Sequence, residues 1–365
     1  MTTRAPRVVV AGGHSAGHIE PALNFADALR KLAPAAEVTA LGTVRGLDTT
    51  LIPARGYPLE LIPPAPLPRK ITRALLQTPP RLRDSVRAAG TVLDQVQADV
   101  VVGFGGYVAA PAYVAARQRR LPIVIHEANV RPGAANRLAA RMTTHVYTAS
   151  PEVRLKHGTA IGIPLRPAIT GLDRPATREA ARRKFGLHPD GPVLLVTGGS
   201  QGATAINAAA SGAAEQLRAA GVQVLHITGR QHTVEASDPS YVVLPYVDEM
   251  HYAYAAADFA ICRSGAMTCA ELAAVGLPAA FVPLPDRGGE QRLNAGPVVA
   301  AGGALLVPDA ELTPAWIAST LIPILTDPAR IAAMSARASA KGAPNADTVL
   351  ARHVLTIAER HRPAR

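Results

Sequence analysis

The chain has 365 residues, 48% hydrophobic and 4% aromatic, with 30 Gly and 32 Pro, which at roughly 150 residues per domain predicts two domains. The net charge is +11, and the whole excess lies in residues 1–166 while the remainder is balanced. A basic half suits nucleic acid, an anionic membrane or a phosphorylated ligand, but so few aromatic rings make a poor stacking platform and argue against nucleic acid. No apolar run approaches a spanning helix, and the stretch before Val8 is too short and polar for a signal peptide, so a cytosolic protein is expected. Cys262 and Cys269 alone exclude a disulfide framework or a four-thiolate zinc site and read as buried thiols.

Short β-branched runs alternate with Ala- and Leu-rich stretches, the pattern of parallel strands joined by crossover helices, so the class is α/β. The spacing predicts strands at Arg7–Ala11, Val38–Leu41, Leu59–Ile62, Val100–Val102, Ile123–His126 and His145–Tyr147, with helices at Pro21–Leu32 and Pro132–Arg141 among them. A second series follows, with strands at Val193–Thr197, Val222–Thr228, Tyr241–Leu244, Phe259–Cys262, Ala279–Val282 and Ala304–Leu306 and helices at Ala203–Ala219, Met267–Val275 and Gln291–Ala301. Ile161–Pro192 holds five prolines and no clear strand, and reads as a linker between domains at 1–165 and 166–345. The pattern leaves open whether a last helical stretch within 346–365 returns to the first domain.

The first strand runs into Gly12-Gly13-His14-Ser15-Ala16-Gly17-His18, with Pro21 expected to open the helix. Such a turn lets backbone approach a diphosphate at a helix N-terminus. A dinucleotide site is disfavoured, because the G-x-G-x-x-G spacing is not met and the second strand ends in Gly42-Thr43 without an acid for a ribose. A P-loop is excluded, since no Gly-Lys-Ser/Thr follows. His14, His18 and Glu20 are poor metal ligands because a turn separates them from one helix face. The second series opens alike, with Gly198-Gly199-Ser200-Gln201-Gly202-Ala203. Each turn alone reads as tight packing, but two phosphate-capable turns in one chain suggest facing domains with both on the walls of a cleft.

Cys262-Arg263-Ser264-Gly265-Ala266-Met267-Thr268 precedes a helix that contains Glu271. Thr268 and Glu271 have capping-box spacing. The same carboxylate is also placed to accept both hydroxyls of a nucleotide ribose, with Ser264 and free amides near phosphate. Gly288-Gly289-Glu290-Gln291-Arg292-Leu293-Asn294-Ala295 puts further polar groups at a helix start.

Together with Gly103-Phe104-Gly105-Gly106-Tyr107-Val108, His126-Glu127-Ala128-Asn129 and Gly162-Ile163-Pro164-Leu165-Arg166, these motifs closely resemble the MurG family along nearly the whole chain. That family comprises the peptidoglycan N-acetylglucosaminyltransferases that convert lipid I to lipid II. The resemblance implies a GT-B fold, two doubly wound Rossmann-like domains facing across a cleft. The first would take the lipid acceptor and the second UDP-N-acetylglucosamine. By motif, Ser15, Ala16, Gly17, Asn129, Arg166, Ser200, Val247, Ala266, Met267, Thr268, Glu271 and Gln291 would line the donor site. Val247 enters through Tyr246-Val247-Asp248-Glu249-Met250, which is similar to the family's uracil-contacting segment. His14 and Ala16 stand where many members have Gly, and Ile163 replaces an Asn common before this Pro.

The sequence has no Asp-x-Asp, so metal-independent transfer without a cofactor is expected, with Arg166 and helix N-termini facing the diphosphate. His18 reads either as a cap of its turn or as the general base, kept neutral by a helix N-terminus. The rivals are another UDP-sugar transferase or epimerase, and a nucleotide-binding regulator without turnover. A lipid-linked acceptor further implies a peripheral protein on the cytosolic membrane face. Leu67–Arg87 is the expected docking stretch, with Leu67, Ile71, Leu75, Leu76 and Leu82 entering the interface among Arg69, Lys70, Arg73, Arg81, Arg83 and Arg87.

Overall fold

A computed structural model describes residues 4–64, 78–235, 238–285 and 288–361. They form two compact units, one of residues up to Leu165 together with Pro344 onward, the other Arg166–Ala343.

In the first unit the strands are β1 (Arg7–Gly12), β2 (Glu37–Gly42), β3 (Leu59–Leu61), β4 (Val100–Gly105), β5 (Ile123–Glu127), β6 (Val146–Thr148) and β7 (Gly158–Ala160). They make one sheet in the order β3-β2-β1-β4-β5-β6-β7, every pairing parallel. Its helices are α1 (Ala16–Leu32), α2 (Asp48–Ala54), α3 (Thr78–Gln95), α4 (Ala109–Gln118) and α5 (Ala134–Ala139). Successive side chains of a strand leave opposite faces. Val8 and Val10 accordingly pack on one face with Phe25 and Phe104, while Val9 and Ala11 pack on the other with Val101, Tyr113 and Ile125.

The second unit carries α6 (Pro167–Thr170), α7 (Arg174–Lys184), β8 (Val193–Thr197), α8 (Thr204–Gly212), α9 (Ala214–Ala219), β9 (Gln223–Ile227), β10 (Tyr241–Leu244), α10 (Met250–Ala256), β11 (Phe259–Cys262) and α11 (Ala266–Ala274). It continues with β12 (Ala279–Phe281), α12 (Glu290–Ala300), β13 (Ala304–Leu306), α13 (Pro314–Trp316), a π-helical turn at Ile317–Leu321, α14 (Ile322–Leu325) and α15 (Pro328–Ser339). Its parallel sheet has the order β10-β9-β8-β11-β12-β13. Both sheets are doubly wound in the Rossmann manner, so the α/β class holds. Strand order reverses between β1 and β4 in one and between β8 and β11 in the other, the place beyond the strands' carboxyl ends where such sheets bind ligands.

Several local expectations change. Pro21 lies inside α1 rather than opening it, with Ser15 as N-cap. The ring forfeits one backbone bond there, and burial of Ile19, Leu23 and Phe25 in the core outweighs it. The expected helix Ala203–Ala219 is two helices, broken at Ala213 after Gly212. β7 escaped the sequence reading because its three residues are exposed and give no apolar signal. Residues 161–192 hold no strand, but they are not a free linker. On α7, Arg182 is buried and donates to the Ala256 and Pro189 carbonyls and to Asp258, which also takes Arg178 at 2.6 Å.

The last helix, α16 (Ala346–His361), belongs to the first unit. Its Leu350, Ala351, Val354 and Ala358 are buried in the same core as Val8 and Phe25. Among the described residues no helix is long and apolar enough to cross a membrane. Of the expected docking stretch, Leu67, Arg69, Lys70, Ile71, Arg73, Leu75 and Leu76 lie outside the described residues. Leu82, expected to enter lipid, instead packs on the unit's own core beside Val86 and Ala89, while Arg81, Arg83 and Arg87 are exposed. The amphipathic period of α3 turns its apolar side to the sheet.

Candidate functional site

At the first reversal point the turn after β1 meets the loop after β4. Ser15 caps α1 without bonding its backbone; its Oγ lies 3.0 Å from His18 Nδ1 instead. The imidazole is therefore held by the side chain of the N-cap residue. The His18 ring packs on Gly105, where φ is +97° and a Cβ would sit 2.8 Å from Cδ2 and 3.0 Å from Nε2. Glycine at 105 both permits this backbone and lets the ring lie against it. Burial lowers the His18 pKa most, His14 lowers it further and Asp48 opposes them; the imidazole is neutral near pH 7. Within the described residues the first amides of α1, Ala16 and Gly17, have no backbone acceptor, and a Cβ on Gly17 would meet nothing within 4 Å.

Two carboxylates to which the sequence reading gave no role hold this edge together. Asp48, fully buried, accepts the backbone N–H of His14 at 2.6 Å and of Thr43 at 2.8 Å, and so ties the first turn to the end of β2. Glu127, buried at the end of β5, accepts from the Asn129 backbone at 3.0 Å, from Gly133 at 2.9 Å and from Asn136 Nδ2 at 2.9 Å. Tyr113 in turn donates to Asn136 Oδ1 at 2.7 Å. Asn129 therefore stands on a buried polar network, which fixes its position. Ile163 is buried and offers no polar contact.

In the second unit the residues singled out from sequence gather at the carboxyl edge of one sheet, reached from separate loops. Ser200 follows β8, Val247 follows β10, Ala266, Met267 and Thr268 open α11 after β11, and Gln291 opens α12 after β12. Gly265, not Thr268, is the N-cap of α11. Thr268 is the third helical residue, so there is no capping box. The first α11 bond runs from Cys269 N–H to the Gly265 carbonyl, which leaves the amides of Ala266, Met267 and Thr268 directed at the edge, a ready anion site. Glu271, one turn further and buried, accepts from Tyr254 Oη at 2.7 Å and lies 3.8 Å from Arg166 Nη2. Gln291 Oε1 accepts the Leu284 N–H at 2.9 Å, securing the loop before α12. Arg263 turns away to Asp309 and the Val282 and Pro283 carbonyls. The Ser264 Oγ is buried without a partner.

Tyr254, 17 residues before Glu271 on another helix, and Asp48, 34 residues after His14, were out of reach of any local pattern. Glu127 stood within a quoted motif without an assigned role. Ser15, Ala16, Gly17, His18 and Asn129 belong to the first unit; Arg166, Ser200, Val247, Ala266, Met267, Thr268, Glu271 and Gln291 belong to the second. Among the described residues, no three His, Cys, Asp or Glu side chains cluster as metal ligands would; Glu20 is drawn off to Arg55 at 3.0 Å.

Comparison with known proteins agrees over the full chain. Residues 8–148 match the glycosyltransferase family 28 N-terminal domain and residues 193–350 its C-terminal domain. Among curated relatives, the UDP-N-acetylglucosamine--N-acetylmuramyl-(pentapeptide) pyrophosphoryl-undecaprenol N-acetylglucosamine transferase of Thermobifida fusca is 58% identical, over 98% of this chain and 96% of that protein. The protein of the same name from Saccharopolyspora erythraea is 56% identical over 99% and 96%. The crystal structure of Acinetobacter baumannii MurG is 28% identical with a TM-score of 0.79, covering 98% of this chain and 99% of that one. A UDP-GlcNAc 2-epimerase from Neisseria meningitidis, 14% identical with a TM-score of 0.67, shares the fold over 96% of this chain and 100% of its own. The chain therefore belongs to glycosyltransferase family 28 and, within it, to the MurG family of N-acetylglucosamine transferases.

Proposed function

We propose that the chain transfers N-acetylglucosamine from UDP-N-acetylglucosamine to the 4-hydroxyl of the muramyl sugar of undecaprenyl-pyrophosphoryl-linked lipid I, giving lipid II and UDP. The full-length match to transferases of that name carries this reading. The acceptor oxygen forms a bond to the anomeric carbon as the bond from that carbon to the diphosphate breaks. A single displacement turns the α donor into a β link. His18 takes the hydroxyl proton. In the tautomer with Nδ1–H donating to Ser15, Nε2 carries the lone pair, beside Gly105. The free amides opening α11, with Arg166, stabilise the charge gathering on UDP. Glu271, oriented by Tyr254, holds the ribose hydroxyls, and Val247 stands at the uracil. Measured UDP release with a lipid I analogue, set beside release without acceptor, tests this. Acceptor-dependent release is expected; release that ignores the acceptor, or none, overturns it.

The acceptor's polyprenyl chain keeps it in a bilayer, so the first unit is proposed to work peripherally at an anionic membrane surface. The described residues support a cationic contact more than an apolar one. Arg81, Arg83 and Arg87 are exposed on α3. A cavity of about 510 Å³ is lined by Arg117, Arg120, Arg141, His145, His157 and His361, with no carboxylate. Each basic residue near such a surface is worth about 1 kcal/mol. Sedimentation with anionic vesicles at low and high salt, comparing wild type with Arg83→Glu/Arg87→Glu and with Arg117→Glu/Arg120→Glu, checks it. Loss of binding in either variant supports the contact; full binding by both overturns it.

A further inference from the structure

A chain of buried polar groups runs to the glycine turn after β8, and the proposed transfer gives it no task. His226 on β9 is fully buried, with one partner on α8 and another on β10. Its Nε2 lies 3.1 Å from Asn207 Oδ1 and its Nδ1 2.9 Å from Tyr241 Oη, while Asn207 Nδ2 donates to the Thr228 carbonyl at 3.0 Å. The carbonyl end fixes every proton. A carbonyl only accepts, so the Asn207 amide turns its nitrogen to Thr228 and its oxygen to the imidazole. His226 then donates from Nε2 and accepts the Tyr241 hydroxyl at Nδ1. Burial lowers the imidazole pKa to about 4 and pushes that of Tyr241 up to about 12, so neither group changes its proton near neutral pH.

The chain ends on backbone that touches the turn. Thr228 and Gly229 follow β9; a Cβ on Gly202 would lie 2.2 Å from the Thr228 carbonyl oxygen, and one on Gly229 would lie 2.3 Å from the Gly202 nitrogen. Both glycines have left-handed φ, +76° and +90°. Backbone meets backbone here, so a shift of the Thr228 carbonyl passes directly to Gly202. The Gly202 N–H donates to the Gly199 carbonyl at 2.9 Å, which closes the turn around Ser200. Burying these polar groups costs desolvation that an apolar core of the same volume would not incur. What a satisfied network supplies instead is one fixed geometry. Resting on the reading of Ser200 as a donor-site residue, we propose that Asn207, His226 and Tyr241 are positioning residues for the donor. They fix the Thr228 carbonyl, and with it the height at which the Gly199–Gly202 turn meets the diphosphate of UDP-N-acetylglucosamine.

The test is calorimetry of UDP and of uridine binding to the full-length protein, with steady-state kinetics and thermal melting, for His226→Leu, Asn207→Leu, His226→Gln and Tyr241→Phe. The two leucine variants break the link to Thr228. In them UDP affinity is expected to fall about 5–10-fold, the worth of one buried hydrogen bond, and KM for UDP-N-acetylglucosamine to rise to match. Uridine affinity and KM for a lipid I analogue should stay as in wild type. His226→Gln, whose side-chain nitrogen can still donate to Asn207, is expected to keep UDP affinity within about 2-fold of wild type. Tyr241→Phe keeps the core volume and removes only the outermost donor; a loss of about 3-fold is expected, and it decides the matter should the leucine variants not fold. Variants that only melt earlier and bind UDP as wild type does, or that lose UDP and uridine equally, overturn the proposal. Ser200→Glu, on the exposed turn, separates it from the reading on which it rests. If Ser200→Glu binds UDP as tightly as wild type, the turn does not meet the diphosphate and that reading fails. If Ser200→Glu loses UDP and the leucine variants do not, only the role of the buried chain fails.

Discussion

The two sheets reverse strand order at equivalent places, between β1 and β4 and between β8 and β11, and each opens a glycine turn there. The turns differ in what they present. After β1 the turn holds two imidazoles over a buried carboxylate, with the loop after β4 pressed against them. After β8 the turn is held tightly through glycine itself: at Gly202, with φ +76°, a Cβ would lie 2.2 Å from the Thr228 carbonyl oxygen. Its neighbourhood supplies chemistry from other elements, the α11 amides, Arg166 and a Glu271 anchored by Tyr254. On the proposed reading, one scaffold serves a proton in one unit and an anion with its hydroxyls in the other. The formal charge follows the same division, with the excess in the first half.

If that division is right, substitutions in the two units should fail in different ways. His18→Gln is expected to lower kcat by about 10²-fold or more, the range of general-base catalysis, with donor affinity by calorimetry little changed; near wild-type turnover would erase the first unit's catalytic distinction. Gly105→Ala places a methyl where His18 Nε2 is approached. Its kcat should fall by up to about 100-fold, as for a misplaced reacting group, with a loss of about 1–2 kcal/mol in stability from the left-handed φ. A variant that unfolds no earlier and turns over normally would show that this edge is not the route to the base. In the second unit Glu271→Ala should weaken UDP-N-acetylglucosamine binding by roughly 10–100-fold, the worth of charged hydrogen bonds to the ribose, and raise KM more than it lowers kcat. A kcat defect without a binding defect would reverse the assignment. Tyr254→Phe is the mildest, about 5-fold in donor affinity for one hydrogen bond that orients Glu271; unaltered affinity would leave Tyr254 a packing residue only.

Most strands were legible because a parallel strand buried on both faces reads as an unbroken β-branched run, as at Val8–Val10 and Val100–Val102. The exposed β7 has no such run. The first helix was placed too late, since Pro21 imitates a helix start while its neighbours Ile19 and Leu23 are committed to the core. Of the candidate site, the glycine turns and Glu271 were visible as local motifs. Their supports were not: a pair such as Tyr254 and Glu271 is made by packing α10 beside α11, and nothing in the spacing of 17 residues encodes it. The capping-box reading of Thr268 failed because the helix begins at Ala266, before the threonine.

The sequence by itself determined the α/β class, the two series of strands, the uneven charge and the family, because hydrophobic period and short motifs are local and survive without coordinates. Only the tertiary structure decided that α16 returns to the first unit's core, that Leu82 faces inward, and that Asp48, Glu127 and Tyr254 orient the groups expected to do the chemistry. Each of these is a contact between residues distant in the chain, and its free energy exists only once the strands that carry the two partners have been brought side by side.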